Sequence, residues 1–268
     1  MTGPVITTFY GVTNDVPFWH WTTLLHFCLV ALAGGVALLT AMRAMTWARF
    51  PRRLATLTVV LVALDLVVLW AESEARFRLT HVYLFLSFRP ASAIWWGAWA
   101  LAGSALLGVL LAAGWGPRRL WGGLLAVTAT VALLYPGLAL ASNAARPLWT
   151  PLLLAFMPVT GLLVAWGLAL LFRQTDLRPV VAGLGLAGAG LGGLYLIGLA
   201  FGGDASRAGL AELWRQGGPA FVVALAAMLL TPALVRRWPV AAGLLAAAGA
   251  VLARTLLVHI GAFMPPLA

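Results

Sequence analysis

Residues 19–46 read WHWTTLLHFCLVALAGGVALLTAMRAMT, a run in which only His20, His26 and Arg43 are basic and no residue is acidic. A helix crossing the hydrocarbon core of a bilayer needs about 20 mostly apolar residues, and this stretch exceeds that length. Seven more stretches of the same character follow, at 54–71, 92–113, 119–141, 150–172, 179–201, 217–235 and 239–262. Breakers beside charge separate them: Arg-Pro-Arg-Arg around Pro51, Gly-Pro-Arg-Arg around Pro117, Arg-Pro at Pro147 and Pro179, and Arg-Arg-Trp-Pro ending at Pro239. The expected fold is all-α and membrane-integral, a single polytopic domain over 1–268 with eight transmembrane helices in two packed four-helix bundles.

Composition agrees with this reading. Of 268 residues, 63% are apolar and 9% charged, against about 45–50% and about 25% in soluble domains. A soluble enzyme, a disordered tail and a nucleic-acid binder are excluded, despite a formal charge of +10. One cysteine, Cys28, excludes a disulfide framework, a four-cysteine iron–sulfur site and a thiolate zinc site. The first 18 residues lack a basic n-region, so no cleavable signal peptide is expected.

The basic residues are all arginine, and their placement orients the chain. The connections after spans one, three, five and seven carry ten arginines and one acid, Asp176. The other side carries six arginines and five acids. The positive-inside rule then places both termini outside, in the periplasm of a cell with two membranes. Trp19, Trp21, Trp47, Trp70, Trp115, Trp121, Trp149, Trp214 and Trp238 fall near the proposed span ends, as an interfacial aromatic belt requires. The longer connections, 72–91 and 202–216, lie on the outer side, where a partner is expected to dock through Arg76, Arg78, Arg89, Arg207 and Arg215.

Few ionisable groups remain inside the spans, and such groups mark functional sites by default. His26 lies roughly 10 Å below the outer start of span one, and Tyr135 roughly 9 Å below the outer end of span four, at 1.5 Å per residue. Glu72 closes span two at the same face. An imidazole, a phenol and a carboxylate at one level suit a quinone, whose two oxygens need hydrogen bonds and whose protons need a carrier. The competing reading is that His26 and Tyr135 only bond across packed helices. Asp65 shares a helix face with Glu72 and is assigned to a proton path or to a pair with an arginine such as Arg254. Arg254 itself must face a carboxylate, a carbonyl cluster or a polar cavity. Gly183, Gly185 and Gly188 spell GxGxxG, but inside an apolar span, where small residues serve close helix packing. Paired histidines at matched depth are lacking, so no haem is expected, and no metal.

These segments resemble a known family. Phe9-Tyr10-Gly11, Phe18-Trp19-His20-Trp21 through His26-Phe27, and Gly34-Gly35-Val36-Ala37-Leu38-Leu39 are similar to the start of the NrfD/PsrC membrane anchors. So are Leu64-Asp65-Leu66, Trp70-Ala71-Glu72-Ser73, Arg76-Phe77-Arg78, Phe85-Leu86-Ser87-Phe88 and Ile94-Trp95-Trp96-Gly97-Ala98-Trp99. Tyr135-Pro136-Gly137-Leu138-Ala139-Leu140-Ala141 with Arg146-Pro147-Leu148-Trp149 completes the likeness. It is dense over 9–160, thin over 175–240, and nearest to the membrane subunit of polysulfide reductase.

The resemblance implies a quinone-binding anchor in the cell membrane for a molybdopterin oxidoreductase. A molybdopterin catalytic subunit and an iron–sulfur subunit would sit on its outer face, with no haem in the anchor. Menaquinol, or ubiquinol, would be oxidised near that face for the reduction of polysulfide or a related sulfur compound. By position, His26 and Tyr135 match quinone-bonding residues and Glu72 a carboxylate beside the pocket. Where the family has an asparagine three residues before the histidine, this chain has Thr23, which is shorter and lacks the amide pair. Two other classes stay open on the residues alone. One is an ion or solute transporter using Asp65, Glu72 and Arg254, and the other a passive anchor without a quinone site.

Overall fold

Inside a bilayer the backbone must satisfy its own hydrogen bonds, which leaves a long apolar segment the helix as its stable form. The computed structural model describes residues 21–47, 50, 52–72, 87–142 and 146–263, apart from the side chains of Glu72 and Phe263. Among these, eight helices are long and apolar enough to cross a membrane, and no strand is present. They are α1 (Trp21–Thr46), α2 (Arg52–Glu72), α3 (Ala93–Ala113), α4 (Arg118–Ala141), α5 (Leu153–Ala169), α6 (Arg178–Phe201), α7 (Asp204–Val235) and α8 (Pro239–Phe263). A 3-10 turn, Leu170–Phe172, continues α5.

The helices close into two rings. In the first, α1 packs on α2, α2 on α3, α3 on α4 and α4 back on α1; in the second, α5 to α8 repeat that order. The seam between the rings is made by α5 against α1 and α4, with α8 also touching α1. Successive helices run in opposite directions, so α1 begins and α8 finishes at one end, the terminal end. The turns at 114–117, 173–177 and 236–238 occupy the opposite, arginine-rich end.

Without a hydrophobic force between helices in lipid, tight packing of small residues holds them together. A Cβ on Gly167 of α5 would stand 2.7 Å from the Gly243 carbonyl of α8, so the two backbones touch. The Trp166 indole donates across the seam to the Gly35 carbonyl at 2.9 Å. At the arginine-rich end the buried Arg43 of α1 bonds Asp176 and Gln174 of the α5–α6 connection and lies over the Trp47 ring. This clasp ties one ring to the other.

Three expectations change. The stretch 202–216 is not a long loop: α7 starts at Asp204 and runs unbroken into the apolar span. Its polar first turns are held by i,i+3 ion pairs, Arg207–Asp204 and Arg215–Glu212, so these arginines are engaged within their own helix. Trp149 is not a belt residue. It is 4% exposed and donates its indole N–H to the Leu257 carbonyl of α8 at 3.3 Å. Of the GxGxxG glycines, Gly185 and Gly188 pack on α7 through Met228, whereas nothing lies within 4 Å of a Cβ placed on Gly183.

Candidate functional site

The site is built at the terminal end of the first ring. His26 sits five residues into α1, Asp65 seven before the end of α2, and Tyr135 six before the end of α4. Each helix approaches that end from its own direction, and these offsets bring the three side chains to one depth. All three are buried: His26 is 3% exposed, Asp65 0% and Tyr135 5%.

They form one hydrogen-bonded chain. His26 Nδ1 lies 2.7 Å from Asp65 Oδ1, and His26 Nε2 bonds the Tyr135 hydroxyl. With Asp65 ionised and His26 neutral, the carboxylate can only accept; Nδ1 then carries the proton toward Asp65, and Nε2 accepts from the phenol. The carboxylate therefore sets both the tautomer and the ring direction. Among the described residues, Asp65 Oδ2 and Thr22 Oγ1 are buried without a partner. An orphaned buried acceptor is costly and is the usual mark of a site that meets a polar group from elsewhere.

The surroundings hold the phenol still. A Cβ on Gly97 of α3 would stand 2.6 Å from the Tyr135 ring, so only glycine lets the ring lie flat against that helix. Pro136 lacks an N–H and leaves one backbone acceptor in the preceding turn unbonded. Thr23, one turn before His26, is buried on the same helix. Gly97 belongs to the Trp-Trp-Gly-Ala-Trp run, and a glycine among tryptophans is the one signal in the sequence that a ring lies against that position.

The charged residues find partners other than those expected from the sequence. Asp65 pairs with His26 and not with Arg254. Arg254 is 1% exposed at the seam, where it donates to the carbonyls of Phe27 at 2.9 Å and Met157 at 2.5 Å and to Thr160 Oγ1 at 3.1 Å. Of the three arrangements open to it, the carbonyl cluster is the one observed. The reason is geometric: α8 meets α1 and α5 at the seam, whereas α2 lies on the far side of α1. The Glu72 side chain, His20, and Arg76 and Arg78 of the expected docking loop lie outside the described residues. Arg89 is exposed and bonds Ser87.

Eight helices long and apolar enough to cross a membrane, with a buried carboxylate–imidazole–phenol chain near one end, define a polytopic membrane protein with a candidate acid–base site. A family model described as polysulfide reductase, of the NrfD type, matches residues 6–264, and the chain belongs to that family. It is accordingly a multi-pass membrane anchor subunit of the molybdoenzyme class of complexes. A comparison with curated protein sequences returns no match. Among the described residues no cluster of three or more His, Cys, Asp or Glu is arranged to hold a metal ion.

Proposed function

We propose that this chain binds menaquinol, or ubiquinol, at His26 and Tyr135 and passes its electrons to an iron–sulfur partner at the same face. A molybdopterin subunit of that complex would then reduce polysulfide or a related sulfur compound. The observation that carries the reading is the His26–Asp65–Tyr135 chain, together with the orphaned Asp65 Oδ2. This set suits one oxygen of a quinol, offering it a hydrogen-bond donor in Tyr135 and a base in His26.

A bound quinol supplies two electrons and two protons. The residues can take these protons one at a time: His26 accepts the first and must pass it toward the face before it accepts the second. Tyr135 can turn its hydroxyl from His26 toward a ligand oxygen, freeing Nε2 to accept a proton from that oxygen. Asp65 Oδ1 holds the opposite N–H and offsets the imidazolium charge, as the carboxylate does behind a catalytic histidine. Burial strengthens that attraction. Thr23 adds a hydroxyl at the level of His26, and Glu72, the last residue of α2, is assigned as the next proton carrier. Asp65 thus serves the site directly, while Arg254 fixes the seam.

Charge placement supports an outer-face location. The connections at the opposite end of the molecule carry ten arginines, and that end should face the cytoplasm. The test is quinol oxidation by the assembled complex. His26→Ala and Tyr135→Phe should each lower turnover by about 100-fold or more while subunit assembly is unchanged. Wild-type turnover in both variants contradicts the proposal.

A further inference from the structure

At the arginine-rich end, far from His26, a groove of about 400 Å³ opens between the α1–α2 and α3–α4 connections. Phe50, Arg52, Leu110, Trp115 and Arg118 are among its lining residues, and none of the described lining residues is an acid. Both cations are placed by local structure. Gly114 ends α3 with φ 75°, and a Cβ there would stand 2.6 Å from Arg52 Nη2, so the glycine makes room for the guanidinium against the turn. Arg118 Nη2 donates to the Trp47 carbonyl at 2.7 Å, which holds that guanidinium at the rim of the groove. The Trp121 indole donates to the Trp115 carbonyl at 2.7 Å and pins the floor of the turn.

Helix ends add to the positive field. α4 starts behind Pro117, which provides no side-chain cap, so the positive end of its helix dipole points toward the groove. Two of the carbonyls at the end of α3 are taken: Gly114 and Trp115 donate to Leu111 and Leu110 at 3.2 and 3.0 Å. Beyond this basic head region, toward the middle of the helices, α2 and α3 carry exposed apolar side chains. Leu106, one turn from Leu110 on α3, is 61% exposed, and Val60, two turns from Arg52 on α2, is 48% exposed. A soluble anion would use only the head of such a site. An amphiphile uses both parts.

We propose that this groove binds one anionic glycerophospholipid. Its phosphodiester bonds Arg52 and Arg118, whose planar forks match phosphate oxygens, its glycerol rests on Trp115, and its chains follow Leu106 and Val60. A basic pocket between helices at the anionic cytoplasmic leaflet is suited to such a headgroup. The site is independent of the quinol reading.

The test uses the full chain in its complex, stripped of lipid in detergent, with bound lipid counted by native mass spectrometry. Phosphatidylglycerol should bind about 30-fold more tightly than phosphatidylcholine of the same chain length. Arg52→Gln with Arg118→Gln should abolish that preference, and Arg236→Gln with Arg237→Gln, at the same end, should keep it. Millimolar inorganic phosphate should leave the lipid in place. Equal binding of the two lipids by the unmodified chain overturns the proposal, whatever the variants do. A preference that survives in the Arg52/Arg118 double variant overturns it as well. Displacement by inorganic phosphate would overturn it too, and assign the groove to a soluble anion.

Discussion

In the α1–α4 ring buried polar side chains bond to one another, His26 to Asp65 and Tyr135, Thr40 to Thr58 at 2.8 Å and Ser104 to Thr128 at 2.9 Å, although Thr40, Thr58 and Thr128 also donate to backbone carbonyls. In the α5–α8 ring they bond mainly to the backbone. Tyr195 donates to the Leu148 carbonyl at 2.7 Å, Thr231 to Ala227, Thr160 to Phe156, and Arg254 to Phe27 and Met157. The two rings are equally apolar to the eye. A side chain bonded to a carbonyl is anchored and has no proton to exchange with a neighbour. A carboxylate, an imidazole and a phenol in sequence can pass one along. Under the proposed function, the first ring would hold the chemistry and the second would hold the first ring in place.

Beyond His26 and Tyr135, further substitutions can break that division, and the largest of their effects falls at Asp65. Asp65→Asn presents an amide to Nδ1, which can stabilise the wrong imidazole tautomer. Quinol turnover by the assembled complex should fall by about 100-fold, with quinone-site inhibitors still bound. Gly97→Ala comes next. The added Cβ meets the Tyr135 ring at 2.6 Å, so the phenol must move, and turnover should fall by about tenfold, from the roughly 1–3 kcal/mol that overpacking costs. In the second ring the effect should shift from rate to stability. Arg254→Met removes the donor from two carbonyls and a hydroxyl, which should destabilise the seam by about 2–3 kcal/mol, read as a lower thermal midpoint with turnover within a few-fold of wild type. The smallest pair is a glycine comparison on α6. Gly185→Ala places a Cβ 2.7 Å from the Met228 carbonyl and should lower the midpoint, whereas Gly183→Ala meets nothing and should hold or raise it slightly, by up to about 1 kcal/mol of helix propensity.

The helices were legible because bilayer crossing is a length requirement, and apolar runs between proline–arginine boundaries display it. The start of α7 was not. Arg207, Glu212, Arg215 and Gln216 lower the hydropathy of its first turns, and Gly217-Gly218-Pro219 reads as a boundary, yet ion pairs one turn apart keep it helical. The depth of His26 and Tyr135 could be counted along their helices. Which carboxylate meets His26 could not, because periodicity places Asp65 on a face of α2 without saying which helix that face meets. The pairing of Asp65 with Arg254 failed for that reason: helix adjacency, set by the ring order, put α1 between them. Trp149 shows the same limit, since its position beside a span end suits both an interfacial belt and a buried donor across the seam.

The central claim is that quinone meets the first ring at the His26–Asp65–Tyr135 chain. The most direct measurement is photolabelling of the assembled complex with an azidoquinone, followed by mass-spectrometric mapping of the modified peptides. Label concentrated on the beginning of α1 and the end of α4, and lost in Tyr135→Phe or by competition with unlabelled quinone, is the predicted result. Label confined to α5–α8, or unchanged in that variant, would contradict the account.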